Sequence, residues 1–387
     1  MPTTPPARSP AEAVAKPVTE GPDIVVAALS ARALAAAARR AGRHPAAVDL
    51  FADQDTAQIA EPCLRLDSDT LRLGPAALRD ALARPDLRGL PLVYGAGIEE
   101  DPTLLARLAE DRPLIGNRPE VVARVKDPFR FAATLDRLGV PHPPVAPAWD
   151  GSSGDHLRKR IGGSGGAHIT PATAGDAGPG WYVQRRVAGH AVSVLFLADG
   201  ARALVVGLSR QWTAPTPESP YRYGGAAGPW RCPERWTRTL PAMIGRLAAA
   251  FDLVGLNSAD VLVTGSDFHL LEINPRPGAT LDVFDRPPMP PLLGLHLDAC
   301  AGRLPDRLPA LSGCRAAAVL YADAPIRIEA GRRWPAWTAD RPAGPIAIAR
   351  GEPVCTVFGE GPSTAAARRH AERRQRKLAA LAAMEMQ

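Results

Sequence analysis

The chain is poor in cysteine: five in 387 residues, at 63, 232, 300, 314 and 355, with no C-x-x-C pair. That spacing offers no disulfide framework and no cysteine metal site, and isolated buried thiols are expected. No apolar run is long enough to span a membrane. Residues 1–21, rich in Pro, Ala and Thr and carrying Glu12 and Glu20, lack the apolar core of a signal peptide. A cytoplasmic protein with a disordered N-terminal tail and no membrane partner is the expectation. The glycine run at 162–166 is not followed by G-K-[ST], which excludes a Walker loop. Ser193 lacks the His–Asp partner pattern of a serine nucleophile. No RNA-binding or helix-turn-helix signature accompanies the net charge of +6, so the basic balance points to anionic ligands more than to nucleic acid.

What is present is ordinary for a soluble globular protein: 46% hydrophobic and 22% charged residues, with 41 prolines. The length suits two to three domains. Asp23 to Leu29, Val48 to Ala52 and Pro91 to Tyr94 read as buried strands. Between them, Ser30 is expected to cap an Ala-rich helix that ends at Gly42. Strand–helix alternation implies a parallel sheet with ligands at the strand C-terminal ends, where Ser30 and Gly95 to Glu99 would line a cleft.

The richest stretch is Val261 to Asp285. Two apolar runs flank Thr264-Gly265-Ser266-Asp267 and predict a β-hairpin. Alternation puts Glu272 and Asn274 on one face and turns Leu271 and Ile273 to the core. Register decides the rest. A five-residue connection would pair Asp260 with Glu272, and a four-residue one would pair it with Leu271. In the first register two carboxylates and an amide oxygen converge, a hard-oxygen set that suits Mg²⁺. Arg276, between Pro275 and Pro277, could clamp an anion. Without such convergence these are surface acids on an edge hairpin.

Glu272-Ile273-Asn274-Pro275-Arg276 resembles the E-x-N-x-R signature of ATP-grasp ligases, with an acid, Asp260, twelve positions upstream. Further parts follow the family's order. Lys126 precedes a helix that ends in Leu138-Gly139-Val140-Pro141, like the entry to an ATP-grasp domain. Lys159 stands on a strand before Gly163, Ser164, Gly165 and Gly166, like the family's phosphate-covering loop, where glycine amides approach phosphate closely. Gln184, Arg185, Arg186 and Val187 occupy the hinge whose backbone reads adenine. His190-Ala191 stand where many members carry a ribose-binding Glu, and no role follows for His168. A loop from Ser209 to Trp230, with Arg210, Tyr221 and Tyr223, suits an acceptor pocket. The strands at 316–321, 346–348 and 355–358 and the basic helix 364–384 resemble the closing segment of biotin-carboxylase-like members.

The resemblance implies an α/β protein with an α+β central region and an ATP-grasp fold. It divides as a tail over 1–21, an N-terminal parallel-sheet pre-ATP-grasp domain over 22–117, an ATP-grasp domain over 118–300 and a small α/β unit over 301–387. It implies ATP and Mg²⁺ as cofactors, with Mn²⁺ able to substitute. Lys126, Lys159, the glycine loop and the hinge would bind ATP; Asp260, Glu272 and Asn274 would hold the metal; Arg276 would stabilise the acyl phosphate. The implied activity is ADP-forming ligation of a small-molecule carboxylate to an amine, in a chain that could form a homodimer. The segment Pro275 to Phe284 is similar to that of tyramine–glutamate ligases of methanofuran-type cofactor synthesis. The alternatives are a bicarbonate-using carboxylase, disfavoured by the absence of a biotin-carrier segment, and a nucleotide-binding scaffold without catalysis.

Overall fold

The computed structural model describes residues 21–384 apart from 69, 153 and 266. The tail expected over 1–21 therefore lies, except for Gly21, outside the described residues. Near the N-terminus five strands form a parallel sheet in the order Cys63–Arg65, Pro45–Asp49, Ile24–Ala27, Leu92–Tyr94, Leu114–Ile115. The three inner strands at 24–27, 45–49 and 92–94 are buried along their whole length, which is why, Asp49 apart, they are apolar rather than alternating.

Two local expectations are corrected here. The second strand covers 45–49 rather than 48–52. It stops because the Asp49 carboxylate takes the backbone N–H groups of Ala31, Phe51 and Ala52 at 2.8, 3.0 and 2.7 Å, turning the chain out of the sheet. The helix Arg32–Arg40 has Ala31, not Ser30, at its N-cap, with no side-chain cap. Asp49 supplies the acceptor instead, and the Ser30 hydroxyl donates to Asp340 at 2.9 Å.

The centre is an eight-stranded antiparallel sheet in the order Asp267–Asn274, Val254–Thr264, His190–Asp199, Ala203–Thr213, Tyr223–Gly228, Cys314–Tyr321, Pro353–Gly361, Thr338–Ala339. Its last three strands come from beyond residue 300, so the C-terminal segment completes the central sheet, and it also forms a two-stranded antiparallel sheet of Ile326–Ile328 and Ile346–Ile348. One face buries Leu195, Leu197, Leu256 and Phe284 against the Ala-rich helix. The other buries Val192, Val194 and Phe196 against Phe131, Leu135, Trp236 and Leu247. A smaller antiparallel sheet, Val145–Ala146, Trp181–Arg185, His156–Arg160 and Thr170–Pro171, carries Lys159.

Half of the expected loop 209–230 is strand: residues 209–213 continue one strand and Tyr223–Gly228 pair beside it. Its glycines permit close approach. A Cβ on Gly225 would lie 2.5 Å from both the Ala317 carbonyl and the Trp212 ring. Only 214–222 is left as a connection. Among the described residues no helix is long and apolar enough to cross a membrane.

Candidate functional site

Both register alternatives are realised in the hairpin, one at each end. At the tip Thr264 pairs with Asp267, Val263 with Phe268 and Val261 with Leu270, the four-residue register. Between Val261 and Asp260 the register shifts by one, and Asp260 then stands opposite Glu272. Leu271 is the extra residue of this β-bulge. It lines the cleft instead of entering the core, which corrects the expected pattern; Leu270 and Ile273 are the buried ones.

The cleft has a volume of about 1090 Å³ and lies between the small sheet and the hairpin. Lys126, Lys159, Gly163, Ser164, Gly165, Gly166, Gln184, Arg185, Arg186, Val187, Arg210, Tyr221, Tyr223, Asp260 and Glu272 all line it. Asn274 and Arg276 do not; they are 6% and 8% exposed. Lys126 ends the helix Pro119–Lys126. Its Nζ lies 3.2 Å from Asn274 Oδ1 and 3.7 Å from Glu272 Oε2. Asn274 Nδ2 donates to Asp260 Oδ2 at 3.1 Å. The Glu272 side chain is 44% exposed and so is reachable from the cleft.

The electrostatics follow from this crowding. Burial, and then the negative charge of Glu272, push the Asp260 carboxyl up, against a hydrogen bond from Ser193. Desolvation by the cleft walls would raise Glu272 too, but Lys126, Lys159 and His168 outweigh it and hold that half-exposed carboxyl below its usual range. Burial lowers Lys159, partly offset by Glu272 and Asp260. Asp260 and Glu272 face each other as two hard-oxygen donors that suit Mg²⁺, while Asn274 turns its Nδ2 to Asp260 and its Oδ1 to Lys126. Among the described residues no group of three or more His, Cys, Asp or Glu could hold a metal, so Asn274 and ligand oxygens would have to complete the shell.

The glycine loop is closed over the cleft. Ser164 Oγ donates to Glu100 Oε1 at 2.8 Å, and Arg160 Nη2 to Glu100 Oε2 at 2.9 Å. Tyr223 N donates to Gly165 O at 3.0 Å. A Cβ on Gly166 would sit 2.1 Å from the Tyr221 carbonyl. At the hinge, Gln184 is buried, and Arg186 is held by Asp155 through its backbone N–H (2.8 Å) and its guanidinium (2.9 Å).

Arg210 pairs across the sheet with Val192, whose side chain is in the core on the face away from Asp260. Its guanidinium lies over Trp230, and the next residue, Gln211, approaches Asp260 Oδ1 at 3.4 Å. Tyr223 is held neutral by burial and by the Asp260 charge.

Several residues around this centre have no assigned role in the sequence reading, which places Glu99 only on the wall of a cleft. Ser193 bonds Asp260. Glu99 Oε1 accepts from Arg276 Nε at 2.7 Å, with the two side chains 0% and 9% exposed. Asn117 Nδ2 donates to Pro275 O (2.9 Å) and Asn257 Oδ1 (2.8 Å). A Glu-Glu pair just past the C-terminal end of a parallel strand was the available signal for Glu99 and Glu100; none marked Asn117.

Residues 125–280 match the family model described as an ATP-grasp domain. No curated protein matches the chain. Among solved structures, the biotin carboxylase domain of Hydrogenobacter thermophilus 2-oxoglutarate carboxylase, in complex with MgADP, ADP and bicarbonate, is similar at 11% identity. Its TM-score is 0.65, covering 89% of this chain and 87% of that one. N5-carboxyaminoimidazole ribonucleotide synthetase from Thermus thermophilus matches at 18% identity and TM-score 0.64, over 91% of this chain and 98% of that one. N5-carboxyaminoimidazole synthase from Aspergillus clavatus, in complex with ADP and 5-aminoimidazole ribonucleotide, matches at 12% identity and TM-score 0.63, over 89% and 96%. The chain therefore carries an ATP-grasp domain over residues 125–280 within an ATP-grasp fold.

Proposed function

We propose that the protein is an ATP-dependent, ADP-forming carboxylate–amine ligase. One observation carries this reading: the bulge at Leu271 sets Asp260 against Glu272, with Lys126 and Lys159 on the same cleft. Cations for phosphates and paired acids for a divalent ion then share one place. A carboxylate is a poor electrophile and hydroxide a poor leaving group, so the two substrates do not condense unaided. In the proposed reaction a carboxylate oxygen attacks the γ-phosphorus and ADP leaves. The amine then adds to the acyl carbon, phosphate departs, and the amine loses a proton. Lys126 and Lys159 would neutralise the phosphate oxygens, and the glycine loop would exclude water. Asp260, Glu272 and Asn274 would hold Mg²⁺, which supplies Lewis-acid neutralisation of the phosphoryl charge when bound. Arg276 would steady the oxyanion through its Nη groups.

Within this class we place the substrate as a glutamyl carboxylate of one-carbon cofactor synthesis, supported by the likeness of Pro275 to Phe284 to tyramine–glutamate ligases. The bicarbonate reading is the second one, favoured by the neighbour that is in complex with bicarbonate as well as MgADP. Product analysis with labelled ATP and a glutamate-containing pool, with and without amines, tests both. ADP and phosphate rising only with carboxylate and amine together is the expected result. AMP and pyrophosphate would reject the mechanism, and ADP release driven by bicarbonate would select the second reading.

A further inference from the structure

The segment that follows the strand Leu92–Tyr94 carries two consecutive carboxylates, and they bind different partners, Arg276 and the glycine-loop region. Ile98 is fully buried, and Leu29 N donates to Ala96 O at 2.8 Å, so the segment is anchored to the parallel sheet. Glu99 turns inward. Its Oε1 accepts from Arg276 Nε at 2.7 Å and its Oε2 from Gly97 N at 2.6 Å. Glu100 turns toward the glycine loop and takes Ser164 Oγ and Arg160 Nη2 at 2.8 and 2.9 Å. The backbones also meet there: Gly162 has φ +76, and a Cβ on it would lie 3.1 Å from Glu100 O.

The hold on Arg276 is one-sided. Its Nε–H makes the short bond, whereas Nη1 and Nη2 have only long contacts, 3.5 Å to Pro277 O and 3.4 Å to Asn274 Oδ1. The tip is therefore only weakly bonded while the base is fixed. Arg276 also lies close enough to Asp260 and Glu272 to feel both charges. A buried guanidinium released from Glu99 would turn to those acids and compete with a cation for them.

We propose that Glu99 and Glu100 are positioning residues with divided roles. Glu99 holds Arg276 off the Asp260–Glu272 pair and leaves its Nη groups free, and Glu100 seats the glycine loop in its closed position. The proposal rests on the nucleotide and metal reading given above.

The test uses the full chain with ADP and Mg²⁺ alone. Glu100→Gln is expected to weaken ADP binding roughly three- to tenfold with or without Mg²⁺, and to speed tryptic cleavage after Arg160. Glu99→Gln is expected to leave the tryptic pattern unchanged and to cut the Mg²⁺-dependent part of ADP affinity by about tenfold. Adding Arg276→Gln to Glu99→Gln removes the competing cation and the unpaired buried charge, and should restore the Mg²⁺ dependence. Merely structural roles would give both single variants the same profile and the double variant no rescue; either result overturns the proposal. A wild-type chain that fails to bind ADP overturns the nucleotide reading itself, and this proposal with it.

Discussion

Asp260 faces Glu272 across the hairpin only because Leu271 is bulged out of the ladder. Two carboxylates held that close repel in the absence of a cation. Asp260→Asn is therefore expected to raise the thermal midpoint of the ligand-free protein by about 2 °C, from on the order of 1 kcal/mol of relieved repulsion. Added Mg²⁺ and nucleotide should stabilise the wild type far more than the variant. Thermal unfolding with and without both ligands checks this. A variant that is less stable without ligands yet keeps the full ligand response would remove the acid pair from the metal reading.

The two lysines come from opposite walls, Lys126 from a helix end and Lys159 from the small sheet, and both are less than a tenth exposed. A charge-assisted hydrogen bond to phosphate in such surroundings contributes about 1.5–3 kcal/mol. Lys126→Ala and Lys159→Ala should each weaken ADP binding by roughly ten- to a hundredfold, as measured by calorimetry. An unchanged affinity in a folded Lys159→Ala protein would remove the glycine loop from the nucleotide site.

Gly165 and Gly166 separate backbone strain from steric closure. Both have positive φ, +71 and +76, so alanine strains either by about 1 kcal/mol. Only at 166 would the added Cβ strike something, the Tyr221 carbonyl. Gly166→Ala should loosen the contact between the glycine loop and the 214–222 connection, raising protease cleavage in both. Gly165→Ala should change cleavage little. Equal effects in the two variants would show that this contact does not control closure.

His296 is fully buried, and its ring accepts the Leu256 N–H at Nδ1 (2.8 Å), which leaves Nε2–H to face Ile115 O at 3.1 Å. Burial pushes it down from 6.5 to about 4. Between those values the unfolded chain binds a proton that the folded chain refuses. The stability this residue contributes is thus complete above pH 6.5 and is lost as pH falls toward 4, a swing of roughly 3 kcal/mol. The stability difference between wild type and His296→Asn should fall along that limb; a difference independent of pH between 4.5 and 7.5 would count against it.

Much of this site was legible because its parts are local in sequence. Lys126 before its helix, Lys159 before the glycines and the acid-to-Asn274 hairpin each announce themselves within about fifteen residues. What escaped was set by tertiary pairing. The alternation that turned Leu271 inward is broken by a bulge that no composition signal marks. Gly224 and Gly225, within the stretch expected as a loop, belong to a strand narrowed to admit Trp212 and Ala317. Asp49 ends its strand by binding backbone amides that lie 18 residues upstream and three downstream. Glu99 and Arg276 meet across 177 positions, a distance over which no spacing rule operates.

The strand Tyr223–Gly228 lies inside the central sheet, yet its outer neighbour is Cys314–Tyr321. During synthesis its second edge must wait for the 85 residues between positions 228 and 314. At ribosomal speeds of roughly 5–20 residues per second that wait is about 4–17 s. Throughout it a row of glycines and alanines offers unpaired amides and carbonyls with little side-chain bulk to guard them. The nascent chain thus carries a sticky edge at mid-translation, so its yield in cells should depend on chaperone supply and elongation rate well before any substrate is met.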